Sequence, residues 1–281
     1  MLNKLALAEV NPTVVAGLIY IFAGLVLAAI RFSPLRRKVT KLIRTPTKSE
    51  KKFCRSEIAV LSLVVLCGSV LAPFLFLNGL NQTTAINASF LSNTEVLFTV
   101  LFALVFLKEY CNKKEWSGII ILIFGAVLLA TNAQFSNLSL TEAVFGNLLI
   151  LAACLFWGID NNLSKFLCIK EDLILVIGLK CIIGGSSLLG VAYTFGLSFN
   201  VPLSAFPYLV SVGAFSIGFS ILFFMVGLKE IGSIRTGSIY STSALFGVTF
   251  ALIILKEPVT IIQALAGLIM VLGVYVLYEN N

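Results

Sequence analysis

Nine apolar runs, each long enough to cross about 30 Å of hydrocarbon as a helix, decide what this chain can fold into. They lie at 13–31, 57–78, 84–107, 116–132, 143–165, 173–195, 206–228, 236–255 and 260–278. Lipid offers no partner to a backbone N–H or C=O, so each run must satisfy its own polar groups, and a helix does that within one segment. Polar or turn residues bound most of them, among them Asn11-Pro12, Asn78, Asn81-Gln82, Lys113-Lys114 and Glu257-Pro258. With 59% of 281 residues hydrophobic and 12% charged, a water-soluble domain of this size cannot hide its apolar surface. The sequence therefore predicts an all-α integral membrane protein of about nine transmembrane helices, with no soluble domain.

Basic residues fix the expected orientation. The first run ends in Arg31, Arg36, Arg37 and Lys38, the charge order of an anchor whose C-terminal side stays in the cytoplasm. Counting loops from there puts seventeen Lys and Arg inside, Lys4 and Lys256 outside, and Lys180 within a span. This predicts a multi-pass protein of the cell (inner, cytoplasmic) membrane, N-terminus outside and C-terminus cytoplasmic. The net charge of +7 is then a topology determinant that touches anionic lipid, and no nucleic-acid partner is expected. Histidine is absent, which removes imidazole chemistry and the commonest transition-metal ligand. The six cysteines, at 54, 67, 111, 154, 168 and 181, form no CxxC pair and read as small hydrophobes. No cofactor or metal is expected.

The chain repeats itself. Gly79–Glu109 aligns without gaps on Gly227–Glu257, and 13 of the 31 pairs are identical, including Thr94 with Thr242 and Leu107-Lys108-Glu109 with Leu255-Lys256-Glu257. An earlier pair of spans extends the pattern, with Gly17-Leu18 matching Gly178-Leu179 and Ala23-Gly24 matching Gly184-Gly185. The aligned tripeptides are five spans apart, so the copies cross the membrane in opposite directions. Inverted repeats around a midplane cavity are an architecture of secondary transporters; an old duplication kept only for packing is the other reading. The expected division is residues 1–137 and 138–281, four plus five spans of a five-plus-five plan. A complete first copy would need one more span before residue 10, so either the start is late or the chain lacks that helix.

Three chargeable residues fall inside spans: Glu95, Asp160 and Lys180. Facing lipid, each would cost about 2–3 kcal/mol or more, so each is expected to face the bundle interior. Asp160 and Lys180 flank a turn on consecutive antiparallel spans at depths about 4–5 Å apart, within reach of a snorkelling lysine. They are expected to pair, either to hold two helices together or to bind substrate. Glu95, beside Asn93 and Thr94 near the centre of its span, is a candidate proton carrier between the two faces, or else interhelical glue. Asn93, Trp157, Asn161 and Tyr240 complete the candidate substrate-binding or coupling set. Trp157 suits packing, or stacking on an organic cation. No catalytic residue is expected.

The duplicated tripeptide, the five-plus-five plan and three local patches resemble the EamA family of the drug/metabolite transporter superfamily. The patches are Ser92-Asn93-Thr94-Glu95 running into Phe98-Thr99, Trp157 to Lys165, and Arg235-Thr236-Gly237 before Tyr240-Ser241-Thr242. The resemblance covers nearly the whole chain and implies a ten-span carrier of small metabolites or toxic organic compounds, often moving them outward. The leading expectation is thus a secondary carrier, with a small organic solute, membrane lipids and a proton as candidate partners, and a homo-oligomer as a further one. A non-transporting scaffold or truncated inactive carrier is the alternative. An intramembrane enzyme would need a nucleophile with a base, or a metal cluster. No P-loop is present, so energy would come from a gradient.

Overall fold

The computed structural model describes residues 2–34, 36, 39, 55–106, 110, 112–131, 141–168, 172–231, 236 and 239–278. Among the described residues, a short helix, α1 (Leu2–Leu7), precedes nine longer helices that fall on the nine apolar runs. These are α2 (Pro12–Phe32), α3 (Arg55–Gln82), α4 (Ala85–Phe106), α5 (Lys113–Ala130) and α6 (Glu142–Cys168), followed by α7 (Leu173–Thr194), α8 (Phe206–Gly227), α9 (Ile239–Leu255) and α10 (Ile261–Tyr278). No strand occurs among the described residues. Six of the nine (α2, α3, α4, α6, α7 and α8) are long and apolar enough to cross a membrane, and α9 and α10 are shorter apolar helices. The 18 residues of α5 rise about 27 Å. The chain is an all-α membrane protein.

Helix starts carry the repeat further than sequence identity does. Asn112 accepts from the Glu115 N–H at 2.9 Å while Glu115 accepts from the Asn112 N–H at 2.6 Å, a reciprocal cap that opens α5. The same device opens α10, 148 residues on: Gln263 N–H donates to Thr260 Oγ1 at 3.2 Å and Thr260 N–H to Gln263 Oε1 at 2.9 Å. Among the described residues three helices also contain a π-helical stretch: Val65–Leu71 in α3, Val212–Phe219 in α8 and Ala251–Leu255 at the end of α9. The first two lie one repeat apart.

The chain forms two compact units, one of residues 2–74 and 159–230, the other of 75–158 and 231–281. Each unit draws helices from both sequence repeats, because α3 and α6 divide between them. Within each, two repeat-equivalent helices pack on one another. In the first, α2 lies on α7: a Cβ on Gly185 would meet Gly17 O at 2.7 Å, and one on Gly24 would meet Gly178 O at 3.3 Å. In the second, α5 lies on α10: a Cβ on Gly118 would meet Gly273 O at 2.8 Å, and one on Gly125 would meet Ala266 O at 3.1 Å. Contacts that descend on one helix as they ascend on the other mean antiparallel packing. The partners are also crossed: Gly118 meets Gly273, the equivalent of Gly125, and Gly125 meets Ala266, the equivalent of Gly118. A local two-fold axis perpendicular to the helices produces that pattern. Small residues at the crossings let backbones approach where no water-driven force holds helices together.

Candidate functional site

In the unit of 75–158 and 231–281, two helices are interrupted. The run 84–107 reads as one continuous span, yet α4 breaks at Ser92-Asn93. There the ladder tightens to three-residue spacing: Asn93 N–H donates to Phe90 O at 3.0 Å and Val96 N–H to Asn93 O at 3.2 Å. Thr94 Oγ1 donates to Leu91 O at 2.6 Å. A threonine hydroxyl bonded back to the preceding turn competes with the backbone donor and bends the helix. The helix α9 breaks at Thr242, whose Oγ1 donates to Ile239 O, also at 2.6 Å. Thr94 and Thr242 are repeat equivalents, as are Leu91 and Ile239, so one device is used twice.

A cavity of about 240 Å³ opens at these breaks, lined by Asn93, Ser241, Thr242, Leu245, Val271, Val274 and Tyr275. It has the volume of about eight waters at their liquid density. Asn93 and Ser241 occupy the same position of the two repeats, so a hollow they share lies near the axis relating them. Asn93 is 2% exposed, and its Nδ2 is buried without a hydrogen-bond partner. An unmet buried donor costs about 1–3 kcal/mol, so such a group asks for an explanation. None of the lining residues carries a charge.

Glu95, one residue past Thr94, is 7% exposed and is not among the lining residues. It lies within electrostatic reach of Tyr240 and Cys154. Trp157 packs its ring on Phe76, centroids 5.2 Å apart and tilted by 50°, and is also absent from the lining. One further residue on, a Cβ at Gly158 would meet Phe98 Cβ at 2.7 Å, so α6 lies close against α4 there.

The other unit holds Asp160, Asn161 and Lys180. Lys180 Nζ pairs with Asp160 Oδ2, as the spacing predicts, and Ser164 Oγ donates to Asp160 Oδ1 at 2.9 Å. The two charged residues are 3% and 2% exposed. The π-helical stretch of α3 presents bare Gly68 to them: a Cβ there would overlap the Asp160 carboxyl. Tyr20 Oη donates to Gly68 O at 3.0 Å, occupying a carbonyl in the widened turn. Asn161 is 5% exposed.

Sequence reasoning missed a polar cluster at the start of α4. Lys256 takes a left-handed conformation, φ 53°, and ends α9. Glu257 then turns its carboxylate back on the amides of Ala85 and Ile86, at 3.1 and 3.2 Å. Beside it, Gln263 Nε2 donates to Asn87 Oδ1 at 2.8 Å, and Thr83 Oγ1 donates to Asn147 Oδ1 at 2.7 Å. The duplicated Leu-Lys-Glu was the available signal: Leu255 ends a helix, Lys256 turns the chain and Glu257 caps another. Lys108, Glu109, Arg235, Gly237 and most of the basic stretch between Arg31 and Arg55 lie outside the described residues.

The model of the EamA-like transporter family matches residues 1–131 and 144–279. An uncharacterized transporter of Methanothermobacter thermautotrophicus is 41% identical over 280 residues, covering all of this chain and 82% of that one. An uncharacterized transporter of Archaeoglobus fulgidus is 28% identical over 225 residues, 78% of this chain and 76% of that one. Among solved structures, one crystal structure superposes with a TM-score of 0.70 at 18% identity, covering 99% of this chain and 91% of the other. At that identity it speaks for the fold alone.

Proposed function

The chain belongs to the EamA-like transporter family, membrane transporters of the drug/metabolite type, and we propose that it is a gradient-driven carrier exporting small organic metabolites or toxic compounds. The observation that carries this reading is the cavity where α4 and α9 break, lined by the repeat equivalents Asn93 and Ser241. Carriers built from inverted repeats bind near the midplane, on interrupted helices. A site flanked by the same residue position of two oppositely running copies stands in a like relation to both faces, as alternating access requires. The repeats are residues 1–137 and 138–281, the C-terminus lies in the cytoplasm, and the protein sits in the cell membrane. Glu95, buried two residues past the lining Asn93, is the candidate for proton coupling. Asp160 and Lys180 hold α6 to α7, and no catalytic step is assigned to any residue.

Filling the cavity tests this. Reconstituted in proteoliposomes and offered radiolabelled amino acids, nucleosides and aromatic amides, the protein is expected to move at least one of them faster than empty liposomes. Ser241→Phe is expected to lower that flux at least tenfold, and Ser241→Ala to leave it within twofold. Equal flux in wild type and Ser241→Phe would remove the cavity from the transport path.

A further inference from the structure

We propose that this cavity takes an uncharged organic solute that presents a hydrogen-bond acceptor, a carbonyl or amide oxygen, to Asn93 Nδ2. The inference rests on reading the cavity as the carrier's binding site, and adds the chemistry of what enters. The Asn93 amide nitrogen is buried and has no acceptor in the protein, so a ligand oxygen removes a standing penalty instead of displacing an existing bond. The Thr242 hydroxyl cannot substitute for it as donor, because its proton is committed to Ile239 O at 2.6 Å. Its oxygen keeps acceptor capacity, which suits a ligand with an N–H or O–H beside its carbonyl. Leu245, Val271 and Val274 supply apolar wall.

The lining also says what is refused. With no charged residue among Asn93, Ser241, Thr242, Leu245, Val271, Val274 and Tyr275, an ion would lose its water and meet no opposite charge. Lys180 and Asp160 neutralise each other within their own unit. Trp157 packs against Phe76 and is not a wall of this cavity, so an organic cation finds no aromatic face there apart from Tyr275.

Three probes of one size separate the cases: benzamide, benzoate and benzylammonium, added to the purified full-length protein while its melting temperature is followed. Benzamide is expected to raise the melting temperature in a saturable way, with the two ions at least tenfold weaker. Asn93→Leu is expected to weaken benzamide at least fivefold and, without ligand, to melt higher than wild type because the unmet donor is gone. Ser241→Phe, which fills the hollow, is expected to abolish the effect. If an ion binds as tightly as benzamide and loses its effect in Ser241→Phe, the proposed chemistry is wrong while the site stands. Unchanged benzamide affinity in Asn93→Leu likewise overturns the role of Asn93. If no probe acts, or all act undiminished in Ser241→Phe, both the chemistry and the site are overturned.

Discussion

Asp160→Asn or Lys180→Met, made singly, is expected to destabilise the protein by about 3–5 kcal/mol, the cost of leaving one buried charge without its partner. The environment makes that figure apply. Both side chains are almost fully enclosed, 3% and 2% exposed, on helices with lipid, not water, around them. The pair is worth far less than either loss suggests, because burying two charges consumes most of what their attraction returns. The double variant Asp160→Asn with Lys180→Met is therefore expected to recover most of the stability. Asn is chosen at 160 because Gly68 leaves room for a flat side chain of that size and no more, and because it still accepts from Ser164. Thermal melting of the purified variants reads both effects. Singles as stable as wild type, or a double no better than the singles, would contradict a structural pair.

Gly118→Leu is expected to have the next largest effect. A Cβ there would sit 2.8 Å from both Gly273 O and Leu277 Cα, backbone atoms that no rotamer change can move. The helices α5 and α10 must separate, and Gly125 against Ala266 opens with them. Overpacking of this kind costs about 1–3 kcal/mol, sometimes more, and in lipid no hydrophobic force between the helices offsets it. Gly190→Leu is the matched control, since a Cβ at Gly190 meets nothing within 4 Å. Melting and limited proteolysis should show Gly118→Leu loosened and Gly190→Leu close to wild type.

Much of the architecture was legible in the order of residues. Among the described residues each of the nine runs carries a helix, because a single segment in lipid satisfies its backbone that way. The Asp160–Lys180 pair followed from counting residues across one turn at 1.5 Å each. The gapless offset of 148 foretold equivalences that identity alone obscures, such as Asn112 with Thr260. The interruptions of α4 and α9 were not legible, because Thr94 and Thr242 sit in apolar runs where most threonines leave a helix intact. What marks them is a hydroxyl turned onto the preceding carbonyl, a rotamer set by packing. The π-helical stretches of α3 and α8 also depend on tertiary contacts, with Asp160 against Gly68 in the first and Ile19 O against Gly213 in the second. Trp157, read either as a packing ring or as a face for an organic cation, lies with its ring on Phe76.

Chain direction is the property on which the rest depends: only copies that run oppositely can present Asn93 and Ser241 to both faces in turn. Tyr110, in the connection after α4, and Lys256, in the connection after α9, report it directly. Tyr110→Cys and Lys256→Cys are placed singly in a chain whose six cysteines are replaced by serine, then exposed on intact cells to a membrane-impermeant maleimide. The expected result is labelling of Lys256→Cys from outside, and of Tyr110→Cys only after the membrane is opened. Labelling of both from the same side would mean that the copies run in parallel, and the carrier built on their inversion would not exist.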